Sequence, residues 1–510
     1  MSKEGSKTSE KVSVLTNEVL RGNPAEAEVL LPVQCDSHHK FEEDSSSRIM
    51  FDSCRNALAS RKVIVDLLVI FFGIGAWIGI NGMYVQLPLM VQTQPEGWNL
   101  PSYLSIVVQI GNIGPISYTL LQKFWPDRVR DSWLIYGILT VGCTSLLLMS
   151  FFYKEVTFFG ETEHSTALLS LVFFVALVGC TSSVLFMPFL RHFKGTYLIS
   201  YFVGEGLSGF VPSIVALIQG VGGNPICINE TVNGSNIWTS YTPPPRFSTE
   251  SFFIFLFCTL VLSNLSFVML NNLKYLKSEK VYSSTNLAYK QSSDSTNTPV
   301  PVSTIQGFTM DDERLKTSPN DDNSSYGKAG SQDDTLKPKD LSRKVYIYYL
   351  VLVSWLCFFS NGLFPGIQSY SCLPYGNVAY HLAVTLGSMA NPAACFLAFF
   401  MPYSSVTATT VMGVLGTALS AFIAATALLS PTPPLVGTTG GEALIVLVWI
   451  LYTGLISYIK VSVASVFRQE DGRKLFWCGA MQQLGSALGA ILGFFLINFA
   501  NIFHSYIPCQ

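Results

Sequence analysis

The stretch Trp77–Trp98, WIGINGMYVQLPLMVQTQPEGW, decides how this chain folds. It closes an apolar run that starts near Val63 and carries no charge over residues 67–95. A bilayer crossing needs about 20 such residues, so the run is long enough to span a membrane. Four residues that suit a lipid-facing helix poorly interrupt it: Asn81, Gly82, Gln86 and Pro88. Because amides in hydrocarbon must face protein or water, the run predicts either a core helix bonded to its neighbours or one wall of a polar transport path.

The composition is that of a polytopic membrane protein. Of the 510 residues, 49% are hydrophobic and only 13% are charged, whereas soluble domains carry about 25% charged residues. The net charge of −2 gives no sign of nucleic-acid binding. The first apolar run is too long for a cleaved signal, so we expect an uncleaved anchor. The 11 cysteines show no CxxC and no paired Cys/His spacing, which predicts no metal site.

Eleven apolar runs follow one another along the chain, at roughly 63–93, 102–122, 132–152, 166–190, 197–220, 251–272, 345–367, 377–401, 405–429, 442–466 and 474–503. Residues 1–60 are rich in Ser, Lys and Glu, which predicts a disordered cytosolic tail. The polar segment 273–343 is predicted to be a disordered cytosolic linker. The predicted fold is all-α, with a six-helix half over 63–272 and a five-helix half over 344–505. This arrangement resembles that of the major-facilitator carriers with one helix missing.

Basic residues and glycosylation sequons predict the side on which each loop lies. Lys and Arg cluster in alternate loops, which the positive-inside rule places in the cytosol. The other loops are nearly free of them, with Lys154 and Arg246 as exceptions. The loop between the fifth and sixth runs carries sequons at Asn229 and Asn233, which are used only on the lumenal face. We therefore expect a cytosolic N-terminus and an extracellular C-terminus.

Ionisable residues inside membrane helices are rare and point to function by default. Glu205 lies among glycines in FVGEGLSGFVP, either as a buried structural pair, with Lys460 as the candidate partner, or as an ionisable support of a transport site. Lys460 itself either reaches the cytosolic interface or serves the site. His381 lies close to the outer end of the eighth run, so we expect a solvated histidine there. Glu96 is expected at the aqueous outer rim.

The amides indicate where a substrate would bind. Asn81-Gly82 in the first run is echoed by Asn361-Gly362 in the seventh, and a proline and then a glutamine follow each pair. Interrupted segments at corresponding positions of two halves point to a midplane substrate site. The predicted substrate-binding residues are Trp77, Asn81, Tyr84, Gln86, Gln109, Asn112, Asn361 and Gln368. The glycine pairs Gly111/Gly114 and Gly485/Gly489 are predicted to allow close helix packing.

This lining suits a neutral, flat, polar solute. Asn and Gln offer both donors and acceptors to an amide or imide edge, and the aromatic residues could stack on a ring. The sequence has no Walker motif, HExxH, GxSxG or Ser/His/Asp set, so it predicts neither an ATP-driven pump nor an enzyme. We expect a monomer without cofactor or metal.

Several stretches resemble the eukaryotic riboflavin transporters, solute carrier family 52, over nearly all of residues 63–505. They include WIGINGMYVQLPL, PEGWNLPSYLS, GCTSSVLFMPF, YFVGEGLSGFVPSIVALIQG, NGLFPGIQSYSCLPYGNVAYHLAVTLGSMANP and WCGAMQQLGSALGA. The resemblance implies eleven helices and plasma-membrane uptake of riboflavin, facilitative or, in some members, favoured by acid pH. Two alternatives stay open: a receptor that binds a ligand without moving it, or a carrier of another neutral heteroaromatic solute such as a nucleoside.

Two positions depart from the pattern of that family. Members read NGLWVELP where this chain has NGMYVQLP, so Tyr84 replaces a tryptophan and Gln86 an acid. Members also carry an acid in a segment similar to LVGCTSSV, where this chain has Gly179. Both changes remove a carboxylate from a membrane helix. We therefore predict that uptake depends weakly on pH between about 5.5 and 7.5, the range in which a proton-coupling group would titrate.

Overall fold

The computed structural model of the chain describes residues 62–125, 130–190, 192–194, 197–232, 235–273, 276, 342–400, 405–470 and 472–505. The predicted tail, 1–60, and most of the predicted linker, 273–343, lie outside the described residues. Within the described residues, ten helices are long and apolar enough to cross a membrane, and a bent helix pair makes an eleventh span. The predicted all-α membrane fold with about eleven spans is therefore confirmed.

The helices of the first half are α1 (Val63–Ile74), α2 (Ile78–Val85), α3 (Leu87–Met90), α4 (Leu100–Ile110), α5 (Ile113–Phe124), α6 (Asp131–Phe152), α7 (Thr166–Leu190), α8 (Tyr197–Gln219) and α9 (Thr249–Asn272). Those of the second half are α10 (Arg343–Cys357), α11 (Phe364–Cys372), α12 (Asn377–Phe400), α13 (Val406–Leu428), α14 (Thr439–Glu470) and α15 (Gly472–Asn498). The first span is α1 with α2 and the second is α4 with α5. The seventh is α10 with α11, joined by a π-helical segment, Phe358–Leu363.

Two β-hairpins mark one end of the helix bundle. Strand β1 (Thr157–Phe159) pairs with β2 (Thr162–His164) between α6 and α7. Strand β3 (Ile226–Val232) pairs with β4 (Ser235–Tyr241) between α8 and α9. Both pairs are antiparallel. We call this end of the bundle the hairpin end and the opposite end the far end.

The two halves meet through matching pairs of helices. Helix α8 packs against α12 and α4 packs against α15, which pairs span five with span eight and span two with span eleven. Helix α4 also contacts α11, and α2 contacts α12. When each span is replaced by its counterpart in the other half, the contact of spans five and eight becomes that of spans eleven and two. The contact of spans two and seven likewise becomes that of spans eight and one. The halves therefore pack as two parallel repeats about an axis along the membrane normal.

Glycines allow the closest helix approaches within each half. A Cβ on Gly204 of α8 would lie 3.0 Å from the Cα of Gly73 in α1, and a Cβ on Gly362 would lie 2.7 Å from the Cα of Gly489 in α15. Spans one and five and spans seven and eleven thus touch through backbone alone. Gly485 likewise faces the backbone of α10, and Gly111 and Gly114 lie against α7. The predicted packing role of these glycine pairs is confirmed.

The first span breaks at residues 75–77, where α1 and α2 meet at 54°. Two carbonyls at this bend accept hydrogen bonds from other spans: Ser263 Oγ lies 3.2 Å from the oxygen of Phe72, and Ser182 Oγ lies 3.4 Å from the oxygen of Ala76. Such partners are required because lipid offers none. Pro88, one of the four interrupting residues, lies beyond this bend, in the short helix α3. The main bend therefore comes earlier, where neighbouring serines can satisfy it.

Candidate functional site

Three spans are interrupted near the middle of the bundle, and each interruption carries polar groups. The first span bends just before Asn81, and the second span is interrupted at Gly111 and Asn112, between α4 and α5. The seventh span forms its π-helical segment around Asn361. Interrupted helices at membrane depth are tolerated where they line a cavity or are buried in protein. These breaks therefore place amide side chains at the centre of the bundle.

Three amides from two spans form one hydrogen-bonded group, which we call the amide triad: Gln109, Asn112 and Gln483. Asn112 Nδ2 lies 3.2 Å from Gln109 Oε1 and 3.2 Å from Gln483 Oε1. Gln109 and Asn112 belong to the second span, whereas Gln483 lies in α15 of the other half. The triad therefore bridges the two halves at their centre.

A second polar group surrounds Asn361. Lys460 Nζ lies 3.5 Å from Asn361 Oδ1, which also accepts a hydrogen bond from Ser360 at 3.2 Å. Glu205 is half-buried on α8, and Cys395 of α12 lies within electrostatic reach of both Glu205 and Lys460. Within the described residues, no ion pair joins Glu205 to Lys460. The alternative in which Glu205 pairs with Lys460 is therefore not seen there, and the lysine bonds to an amide instead.

Asn81 faces span five. Its Nδ2 donates to Ser208 Oγ at 3.1 Å, and Ser208 donates to the carbonyl oxygen of Glu205 at 2.6 Å. A Cβ on Gly209 would lie 3.5 Å from the Asn81 amide and from the carbonyl oxygen of Ser388 in α12. Asn81 therefore lies where spans one, five and eight meet, and it is linked to the turn that carries Glu205.

The aromatic residues of the first span pack on spans two and four. A Cβ on Gly179 would lie 3.2 Å from the indole of Trp77, so the ring rests directly on the glycine. Tyr84 is half-buried, with its hydroxyl beside Ser105 of α4. The missing side chain at position 179 therefore leaves room for the Trp77 indole to contact α7.

The halves are closed against each other at the hairpin end. Asn498 Nδ2 donates to Ser102 Oγ at 2.9 Å, and Ser369 Oγ donates to the carbonyl oxygen of Trp98 at 2.7 Å. Tyr370 also bonds to Asn99 across the same boundary. Each bond joins the second span to the seventh or the eleventh. A solute at the centre is thus shut off from this side.

The far end of the second span is packed differently. Helix α4 buries five residues, Leu100, Pro101, Ser102, Leu104 and Ser105. Helix α5, the far-end part of the same span, buries none of its residues. Large apolar side chains on α5 and at the start of α15, such as Phe124 and Phe476, are exposed. The second span is therefore packed between its neighbours at the hairpin end and exposed along its far-end part.

Gln86 and His381 lie away from the triad, in a buried polar patch near the hairpin end. Gln86 is 1% exposed and its Nε2 donates to Gln219 Oε1 at 2.6 Å. His381 is 5% exposed and bonds through one ring nitrogen to the backbone of Ala216, on the same face of α8. Within the described residues, Gln86 Oε1 and His381 Nε2 have no hydrogen-bond partner. The prediction that His381 is solvated is wrong, because its side chain extends from α12 and is buried against α8.

Glu96 holds a helix terminus. Its Oε1 accepts from the Ser165 N–H at 2.7 Å, and its Oε2 accepts from Ser165 Oγ at 2.6 Å. His164 Nδ1 lies 3.4 Å from Oε1, and the Glu96 side chain is 1% exposed. Ser165 immediately precedes α7, so the carboxylate accepts the Ser165 N–H and lies at the positive end of the helix dipole. Glu96 is at the hairpin end as predicted, but it is buried rather than at an aqueous rim.

The remaining predicted residues are dispersed. Gln368 is half-buried in α11. Asn229 is exposed on β3, directly opposite Trp238, whereas Asn233 lies outside the described residues. Among the residues that the structure describes, no cluster of three or more His, Cys, Asp or Glu is placed to hold a metal ion.

Sequence reasoning missed Gln483, Gln219 and Ser208, which bond to Asn112, Gln86 and Asn81. Gln482 and Gln483 are adjacent in MQQLGSALGA, so a polar pair was visible in the eleventh run. Its relation to Asn112, 371 positions earlier, depends on how the halves pack.

Eleven spans in two halves, polar groups at the midplane and closure at one end define a helical membrane carrier. Its particular family follows from the sequence: the family described as solute carrier family 52, riboflavin transporter, matches residues 61–505, and the chain belongs to that family.

Named relatives agree with this assignment. Solute carrier family 52, riboflavin transporter, member 3-B of Danio rerio is 40% identical over 469 residues, covering 88% of this chain and 99% of that protein. Members 3 and 2 of Homo sapiens are 36% and 35% identical, with 88% of this chain covered and 98% and 97% of theirs. Among solved structures, the nucleoside transporter NupG covers 88% of this chain and 92% of its own at 11% identity, with a TM-score of 0.45.

Proposed function

We propose that this protein carries riboflavin across the plasma membrane without ATP, by alternating exposure of a central site to the two sides. Membership of the riboflavin transporter family is the observation that carries this proposal. The packing supports it, since the polar groups lie at the boundary of two halves that hydrogen-bond to each other at the hairpin end. A receptor that binds without transport, or a nucleoside carrier, is not favoured by the family.

The central groups suit a neutral solute with a polar ring edge. Amides from both halves face one another in the amide triad. Trp77 offers an indole that packs against Gly179. Lys460 is the basic residue of this centre, and it bonds to the neutral Asn361 amide. A single bonded lysine is not the cluster of like charges that a charged solute would need. Riboflavin fits this chemistry, because its ring system is flat and its imide edge both donates and accepts hydrogen bonds.

The hairpin end is assigned to the outside of the cell. It carries the Asn229 sequon, and Cys227 on the same strand is disulfide-bonded, as expected in an oxidising compartment. The two basic residues found there have local partners: Lys154 lies 2.6 Å from Glu250, and Arg246 donates to the carbonyl oxygen of Ile218 at 3.2 Å. The far end and the N-terminus then face the cytosol, and the carrier acts as a monomer.

Uptake of labelled riboflavin by proteoliposomes that contain the purified full chain tests the proposal. We expect riboflavin to enter until its concentrations inside and outside are equal, with no ATP present. Binding to the protein without accumulation inside would contradict transport and favour a receptor. Transport of nucleosides but not of riboflavin would instead show that the solute is wrong.

Asn81→Ala and Asn361→Ala should each reduce uptake several-fold while the protein still reaches the cell surface. Each change removes a neutral hydrogen-bonding amide at the centre, and one such bond contributes about 0.5–1.5 kcal/mol. Asn272→Ala is the matched control, because it loses a comparable bond, to Tyr136 at 3.0 Å, at the far end of α9. Normal initial rates in both central variants would remove spans one and seven from the site.

The weak pH dependence of uptake stays a prediction, and the structure narrows its test. Gln86 and Gly179 cannot titrate, and His381 is enclosed between helices. Glu205 is the central carboxylate, and it has no ion pair within the described residues. We expect initial rates at about pH 5.5 and 7.5 to be similar. A strong acid stimulation of uptake that survives in His381→Ala and vanishes in Glu205→Gln would refute the prediction and make Glu205 the proton carrier.

A further inference from the structure

The hydrogen bonds of the amide triad leave a defined set of atoms unused. Asn112 Nδ2 donates one hydrogen to Gln109 Oε1 and the other to Gln483 Oε1, each at 3.2 Å. An amide nitrogen has two hydrogens, so both are taken. The atoms left over are the nitrogens of Gln109 and Gln483 and the oxygen of Asn112. Within the described residues, no side chain bonds to any of these three.

These atoms offer two donors and one acceptor. The donors are the nitrogens of Gln109 and Gln483, and the acceptor is Asn112 Oδ1. The hydrogen bonds that fix the Asn112 amide also fix the two glutamine amides. If the Asn112 amide turns over, both glutamine amides must turn with it to keep these bonds. A ligand that matches one of the two orientations therefore selects it.

We propose that the amide triad binds the imide edge of the riboflavin ring system, a proposal that rests on the transport function above. That edge presents a carbonyl, an N–H and a second carbonyl, which is acceptor, donor, acceptor. Its two acceptors and one donor match the two donors and one acceptor that the triad leaves unused. Three hydrogen bonds form at once, and each group that leaves water finds a partner. The triad then sets specificity for pyrimidinedione-type rings, and Gln483 is a substrate-contacting residue.

The position of the triad adds a second consequence. Gln483 comes from the second half and the other two amides come from the first. An imide seated on all three therefore bonds to both halves at once. A solute that lacks the edge bonds to one half or to neither, so the triad couples recognition to the boundary that moves during transport.

The test compares ligands on the purified full chain by displacement of labelled riboflavin. 3-Methylriboflavin lacks the imide N–H, and we expect it to bind on the order of tenfold or more weakly than riboflavin, which corresponds to a lost hydrogen bond and an unpaired acceptor. 5-Deazariboflavin keeps the imide edge and changes the ring elsewhere, so it should compete as riboflavin does. Gln483→Ala should weaken riboflavin binding and shrink the difference between riboflavin and 3-methylriboflavin.

Gln482→Ala is the matched control. Gln482 is the adjacent glutamine on α15, and its Nε2 lies 3.5 Å from Cys478 Sγ in the same helix. This variant should keep the full preference for riboflavin. The preference is a ratio measured on one sample, so a lower yield of folded protein does not change it.

The outcomes separate the two proposals. Equal competition by 3-methylriboflavin, or an unchanged preference in Gln483→Ala, would overturn imide recognition by the triad while leaving riboflavin transport intact. Strong discrimination in binding, together with no entry of riboflavin into proteoliposomes, would support the triad and overturn the transport function.

Discussion

Oxidative cross-linking of a Ser102→Cys, Gly366→Cys double variant should abolish uptake, and a reducing agent should restore it. A Cβ on Gly366 would lie 3.4 Å from the Cβ of Ser102, across the closed boundary at the hairpin end. Disulfides need Cβ atoms separated by roughly 3.5–4.5 Å, so this pair is well placed to close. Because a solute enters from outside only after the halves separate there, a covalent bond at this point holds the carrier shut.

A cross-link within one half is the control. Gly79→Cys, Val175→Cys joins spans one and four, where a Cβ on the glycine would lie 3.7 Å from the Cβ of Val175. This bond does not cross the moving boundary, so uptake should continue. Each single variant should also be insensitive to the oxidant. Full uptake with the Ser102/Gly366 cross-link completely formed would show that the hairpin end does not open during transport.

Gly489→Ala should remove most of the folded protein, and uptake with it. A Cβ at this position would lie 2.8 Å from the backbone carbonyl carbon of Phe358 and 3.0 Å from the Leu363 nitrogen, at the two ends of the π-helical segment. Neither atom is the end of a flexible side chain, so spans seven and eleven must separate. Overpacking of this kind costs about 1–3 kcal/mol, and more where backbone meets backbone.

Gly479→Ala separates this clash from a general effect of adding a methyl group. Gly479 lies in the same helix, α15, and a Cβ there meets nothing within 4 Å. The melting temperature of the detergent-solubilised protein and its amount at the cell surface should fall in Gly489→Ala and stay normal in Gly479→Ala. Equal behaviour of the two variants would contradict close packing of spans seven and eleven.

The sequence predicted the spans well because span length and apolarity are local properties. The predicted run 166–190 matches α7, Thr166–Leu190, since the bilayer imposes the same length on each span. The echo of Asn81 by Asn361 also led to two spans that break near their centres. The span lengths and the echoed amides could both be predicted because each depends only on residues that are close together in the sequence.

Burial and partner choice were not predictable in the same way. His381 and Glu96 lie at the hairpin end, where proximity to a loop suggested contact with water. Their burial comes from α8 and from the start of α7, which are distant in sequence. The bend of the first span also depends on serines from spans four and six rather than on Pro88. Such contacts exist only once the helices have packed.

The Asn112–Gln483 bond acts as a fulcrum between the two halves. Asn112 and Ser102 are ten residues apart in the second span, a lever arm of roughly 15 Å. When two bodies rock about a central axis, the displacement grows with distance from that axis, so the bonds of Ser102 must break while those near Asn112 stretch little. The same three amides then meet a solute arriving from either face of the membrane. A carrier built in this way works in both directions, and the concentration difference across the membrane decides in which direction the solute moves.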